Sequence, residues 1–161
     1  MTTPTAGRMT ATARPVASTG GLVVIGCSRR KRAGTTPVAA LELYQGWCFP
    51  QLRERIAGRP EYRSRTLILS ARHGLLGADD QITPYHQVLT PERALSQRDI
   101  VRTALVGHLK RSAAREVLLL LEPLYFEMLG LPPLPVVHLV SDPVTHWPQV
   151  TRVLDGWGWT A

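Results

Sequence analysis

The sequence predicts an α/β fold, a single-domain sandwich in which a mainly parallel sheet of about four strands is flanked by helices. Three observations predict it. Four short apolar runs are continuous rather than alternating, as strands covered on both faces are. Segments with helix caps and breakers separate these runs, which is the alternation a parallel sheet with crossover connections needs. A chain of 161 residues with 44% apolar content can bury the core of one ordinary domain and is short for two.

Taken in order, residues 1–20, "MTTPTAGRMTATARPVASTG", contain no acid and no apolar block, so they read as a disordered extension outside a domain spanning 21–161. A secretory signal is not expected there, because it needs a continuous hydrophobic segment. "LVVIG" (22–26) is the first strand. "LELYQGWCFPQLRERIAG" (41–58) predicts a helix in its second half, stopping at Gly58, and "TLILSA" (66–71) is the second strand. In 90–112, Thr90 is a candidate N-cap and Pro91 occupies the first helical position, where its missing N–H costs nothing. Ser96 with Asp99 offers a second cap at which this helix could restart. Ala94, Val101, Ala104, Leu105 and Leu109 form its apolar face. "EVLLLL" (116–121) is the third strand, a short helix is expected in 122–130, "VVHLV" (136–140) is the fourth strand, and a last helix is expected in 146–156.

Right-handed crossovers place the C-terminal ends of parallel strands on one edge, where open α/β sheets bind ligands. The residues that follow each strand therefore matter most. After the first come Cys27, Ser28 and "RRKR"; after the second, "SARHGLL"; after the third, Glu122; after the fourth, Ser141 and Asp142.

The count of 19 Lys and Arg against 12 Asp and Glu gives a formal charge of +7, which favours an anionic partner: a nucleotide-like or other anionic small molecule, or DNA or RNA. The Walker A spacing is absent, which disfavours a P-loop ATPase. Two cysteines without metal-type spacing argue against a disulfide framework and for a reducing compartment. No stretch approaches the roughly 20 apolar residues of a membrane span, so a cytoplasmic protein with no membrane partner is expected. The dispersed histidines argue against a metal site, and no cofactor is expected.

Each reactive residue has two readings. Ser28, Arg29 and Lys31 form an anion cradle or a solvated basic loop. Cys27, beside those cations, is an activated nucleophile or an inert thiol. Ser70, His73 and Gly74 mark a strand turning into a long loop, with Gly74 permitting a positive φ or close ligand approach. His73 is then a general acid or base, or a hydrogen-bonded turn residue. Downstream of Pro84, Tyr85 stacks on a base or sugar, or packs the loop. Glu122 stabilises an oxocarbenium-like centre or activates water, or complements a helix dipole. Asp142, before Pro143, is a further site candidate or a turn cap. Trp157 and Trp159 stack on a ligand or seal the core.

"CSRRK", "LYQG" (43–46), "LSARHGLL" and "ITPYHQVL" together resemble a group of small bacterial proteins with a CS-x-x-K motif on the first strand and an LSA-x-HGLL…PY segment on the second. The set is similar, more distantly, to the peroxide-stress YaaA family and to the archaeosine synthase domain, which acts on a 7-deazaguanine base in tRNA. The resemblance covers most of residues 21–142. It implies a site at Cys27, Ser28, Lys31, Tyr44, Ser70, His73, Gly74, Pro84 and Tyr85. It also implies a nucleobase-type ligand, or DNA binding of the YaaA kind. The expected activity is that of an enzyme on a nucleoside, nucleotide or modified base, by N-glycosidic cleavage or base exchange, with Glu122 or His73 in acid–base work. The alternatives are a non-catalytic nucleic-acid binder and a thiol redox sensor built on Cys27.

Overall fold

In the computed structural model, which describes residues 20–160, a five-stranded sheet lies between two layers of helices. Strand β1 (Leu22–Gly26) occupies the centre. A two-residue strand β2 (Val38–Ala39), short helix α1 (Ala40–Leu43), helix α2 (Phe49–Ile56) and one-turn helix α3 (Pro60–Arg63) lead to β3 (Thr66–Ser70). Then come β4 (Gly74–Gly77), the two-residue β5 (Gln81–Ile82), α4 (Pro91–Ser112), β6 (Glu116–Leu120), α5 (Pro123–Leu129), β7 (Val136–Leu139) and α6 (Trp147–Gly156).

The sheet order is β4-β3-β1-β6-β7. The β1–β3, β1–β6 and β6–β7 pairs are parallel, and β4 returns antiparallel along β3. The four predicted strands are the four parallel ones. Residues 74–77, expected to lie in a loop, instead form a hairpin arm, with Ser70 opposite Gly74 and Gly74 at φ +74°. A tight turn of that kind suits glycine. The separate β2–β5 ladder couples the segment after β1 to the one after β4.

Side-chain alternation on buried strands divides the core. Val23, Ile25, Ile68, Leu118 and Leu120 face α1, α2 and α6 through Leu41, Phe49, Leu52 and Leu154. Leu22, Val24, Leu67, Leu69, Val117 and Leu119 face α4 and α5 through Val101, Leu105, Leu109 and Met128. Each fully buried aliphatic side chain contributes about 1.5–3 kcal/mol relative to an exposed one, and the polar residues of these strands, Thr66, Ser70, Glu116 and His138, are each hydrogen-bonded.

Helix α4 begins as expected: the Thr90 hydroxyl accepts the Arg93 N–H at 3.1 Å, with Pro91 in the first turn. It does not restart at Ser96, whose hydroxyl donates to the Arg93 carbonyl at 3.0 Å inside a continuous helix. At the N-terminal end of the sheet, Gly21 admits the Trp157 indole, which lies 2.3 Å from where a Cβ would stand. Trp157 Nε1 donates to Glu116 at 3.1 Å, and His138 Nε2 lies 3.0 Å from the same carboxylate oxygen. Trp159 is 1% exposed and stacks on Tyr62, and Trp157, 6% exposed, packs edge-on against Trp159, so both tryptophans belong to the core. The predicted extension over residues 1–19 lies outside the described residues. No described helix is long and apolar enough to cross a membrane.

Candidate functional site

From the central strand the chain crosses to β3 on one side and later to β6 on the other, so the crevice between the C-terminal ends of β1 and β6 is a topological switch point. A cleft of about 720 Å³ opens there. Its walls are residues 27–31 after β1, Gly46 and Trp47 before α2, residues 86–89 of the loop before α4, and Glu122, Leu124 and Tyr125 at the start of α5. Arg29, Arg30 and Lys31 thus share one lining with the Glu122 carboxylate, the His86 imidazole, the Cys27 thiol and two aromatic rings.

Backbone pairing sets the position of the basic loop. The Cys27 N–H continues the β1 ladder to the Leu69 carbonyl at 3.0 Å. Lys31 then forms an isolated antiparallel bridge with Tyr44, flanked by bonds from the Gln45 N–H to Arg30 and from the Arg32 N–H to Leu43. Ser28, 8% exposed, donates its hydroxyl to the Arg30 carbonyl at 2.8 Å and accepts the Gly46 N–H at 3.2 Å. Its hydroxyl therefore staples the loop at the edge of the cleft it lines. Arg53 from α2 donates to the carbonyls of Leu41 and Tyr44, holding the other side of the bridge. Trp47 stands at φ +56°, a left-handed conformation costly for a bulky residue and common where a binding site dictates the backbone.

Beneath the basic loop lies a chain of three buried hydroxyls. Ser70 Oγ accepts the N–H groups of Arg72 (3.1 Å) and His73 (3.0 Å), so its own proton is directed to the Tyr85 hydroxyl at 2.7 Å. Tyr85 in turn lies 2.5 Å from the Tyr44 hydroxyl. Tyr44, Ser70 and Tyr85 are 0%, 1% and 8% exposed. Burial pushes the Tyr44 phenol up to about 12 and raises Tyr85 as well, so both are neutral donors at ordinary pH. The motif residues "LY", "LS" and "PY" meet here as a floor, and Tyr85 supports the site rather than facing the cleft. Lys31 Nζ lies 4.5 Å from the centroid of the Tyr85 ring and 5.8 Å from that of Tyr44.

Cys27 is half-buried, with Sγ 3.1 Å from the Tyr125 hydroxyl. Burial raises Tyr125, and the negative charge of a Cys27 thiolate acts in the same direction. Burial lowers the Lys31 ammonium from its ordinary value, with the Cys27 charge opposing it.

Other expected site residues lie elsewhere. His73 packs edge-on against Tyr85 at 5.2 Å and does not line the cleft; burial and then Arg72 lower its imidazole, favouring the neutral form. The imidazole that reaches the cleft is His86, one residue beyond Tyr85: in that extended segment Tyr85 turns inward and His86 outward. Gly74 serves the hairpin turn, and Pro84 sets the approach to Tyr85 without lining the cleft. Asp142 accepts the Thr145 N–H at 3.3 Å, which holds its carboxyl below the usual range, and it acts as a turn cap away from the cleft. Glu122 is the N-cap residue of α5 yet makes no side-chain cap bond, leaving its carboxylate to the cleft. Arg30, Trp47, His86 and Tyr125 complete the lining. A smaller hollow of about 470 Å³ beside β7 and α6 has Glu116 as its one carboxylate, already engaged by His138 and Trp157.

A family of unknown function, DUF6884, matches residues 22–152. No curated protein and no solved structure matches the chain.

Proposed function

The chain belongs to the DUF6884 family, and for this member we propose an enzyme that acts on a nucleoside or nucleotide at its N-glycosidic bond, by cleavage or base exchange. One observation carries the reading. The switch-point cleft joins a cationic wall, a carboxylate, an imidazole and aromatic faces in about 720 Å³, a volume suited to a small-molecule ligand.

Each group has a part that its chemistry suits. Arg29 and Arg30 neutralise a phosphate, where guanidinium forks bind two oxygens at once. Trp47 and Tyr125 offer faces to the base or sugar. Cleavage of the C1–N bond builds positive charge on the sugar and negative charge on the leaving base. Glu122 stabilises the former, and His86 supplies the proton that the base needs. The likeness of the "CSRRK" motif to that of a domain that acts on a modified nucleobase supports the same ligand class.

The test is a turnover screen of the purified protein against nucleosides and nucleoside monophosphates, with free base detected by chromatography. Base release is expected, falling at least about 100-fold in Glu122→Gln while circular dichroism and melting stay as in the wild type. The exposed basic loop also favours a second reading, a nucleic-acid binder. Salt-sensitive binding of short DNA or RNA, without base release from any substrate, would replace the enzyme reading with that one.

A further inference from the structure

The chain carries 19 cationic side chains, of which only Lys31 and Lys110 are lysines; the other 17 are arginines. Arginine is thus the usual solution for positive charge in this protein, including both neighbours of position 31 in "RRKR". Lysine offers what arginine does not, an amine that can lose its proton and act as a nucleophile. Lys31 lines the switch-point cleft, and its Nζ is positioned there by the faces of Tyr85 and Tyr44 and by a bond to the Arg29 carbonyl at 3.3 Å, contacts that hold the resting ammonium in place. Among the described residues no carboxylate stands within ion-pair distance of it. Partial burial acts in the same direction, favouring the uncharged amine. The strand bridge to Tyr44 fixes the backbone from which the side chain projects. Lys110 is the contrast: it is exposed, in the last turn of α4, where a charge complements the helix dipole.

We infer that Lys31 is the nucleophile of this site and carries the sugar through C1 as an imine; the inference rests on the N-glycosidic reading above. The neutral amine attacks C1 of the sugar, and the C1–N bond to the base breaks with its electron pair leaving on the base, which takes a proton from His86. The ammonium formed on Lys31 returns a proton to His86. The ring C1–O bond then opens, its oxygen takes the remaining proton from Nζ, and a C=N bond joins Nζ to C1. Water adds to that carbon and releases the free amine and a reducing sugar. No oxidant or reductant is consumed.

With only two lysines, the test is direct. The full chain is incubated with ribose 5-phosphate and sodium cyanoborohydride, and the reduced adduct is located by peptide mass spectrometry. Labelling at Lys31 should exceed that at Lys110 by about tenfold or more, because a bound sugar meets its amine at high effective molarity. Lys110→Arg should leave the Lys31 adduct unchanged. Lys31→Arg should keep nucleotide affinity within a few-fold and lose base release, a change in kcat rather than KM. Equal labelling of the two lysines overturns the inference. So does base release from a nucleotide with no adduct at Lys31, an outcome that leaves the glycosidic reading standing. A Lys31 adduct with ribose 5-phosphate and no base release from any nucleotide would instead uphold the imine site and defeat the glycosidic reading.

Discussion

Tyr85→Phe removes one oxygen from the centre of the buried hydroxyl chain and leaves the ring over which Lys31 lies. Ser70 Oγ already accepts two backbone N–H groups, so after the substitution its proton has lost its acceptor. Tyr44, 0% exposed, loses the hydroxyl 2.5 Å from its own. Each buried polar group left without its partner costs about 1–3 kcal/mol, and two of them give a destabilisation of about 3 kcal/mol. For a domain of this size that lowers Tm by about 6–12 °C. Urea titration gives the free energy and a thermal melt the shift. The double variant Tyr44→Phe/Tyr85→Phe removes one of the stranded groups along with its partner. Its cost should therefore fall short of the sum of the single costs by about 1–2 kcal/mol. A Tyr85→Phe protein within about 0.5 kcal/mol of wild type, the range of an inconsequential surface change, would refute the buried chain as a stabilising unit. Strict additivity of the two substitutions would refute the direct bond between the tyrosines.

Two further predictions concern the frame around the site. Ala113 ends α4 at φ 53°, ψ 30°, a left-handed conformation that a Cβ disfavours. Ala113→Gly should therefore raise stability by about 0.5–1 kcal/mol in urea unfolding, net of the entropy that glycine adds to the unfolded chain; a loss of stability would contradict the cap geometry. Glu116 is held below the ordinary 4.5 of a glutamate by its bond to His138 and then by the one from Trp157. A carboxyl lowered in the folded state adds stability that is in place above its unfolded value and is lost as pH falls through the folded one. Between about pH 6 and pH 3 the wild type should lose more Tm than Glu116→Gln, by a small margin because the side chain is 37% exposed. Parallel declines in the two proteins would refute the linkage.

The parallel core was legible because its runs are continuously apolar in their middles, and three of them, Leu22–Gly26, Thr66–Ser70 and all but the first residue of Glu116–Leu120, are buried on both faces, while the edge strand Val136–Leu139 is partly exposed. "LVVIG", "TLILS", "EVLLL" and "VVHL" differ from their predicted bounds by at most one residue. A run without alternation has no solvent side to mark. "GLLG" was not legible as β4 because two leucines between glycines carry no period. The pairing that makes it a strand comes from β3, through the turn that Ser70 and Gly74 close. The β2–β5 ladder is shorter still, two residues on each side, and depends wholly on where the longer elements bring the chain.

The site divides along the same physical line. Residues after the two strands that flank the switch point can be placed from sequence, since the strands' direction delivers them to one edge: Cys27, Arg29, Lys31 and Glu122 reach the cleft in that way, whereas His73 and Asp142, after the strands to either side, do not line it. Residues brought by loops cannot be placed so, because a change of one position reverses which side chain points inward. "PYH" is the clearest case: the tyrosine went under the loop and the adjacent histidine to the cleft, so the imidazole was sought at His73 and stands at His86. A signal for Tyr125 did exist, in the first turn of the helix that follows β6 at the switch point. For the three-hydroxyl chain only the motif resemblance grouped Tyr44, Ser70 and Tyr85; spacing and composition did not, since they come from three separate segments and each reads alone as an ordinary core or loop residue. Their meeting places one lysine over two tyrosine rings while the cations beside it remain arginines, and at that position a guanidinium would fix a permanent charge where an amine can lose its proton.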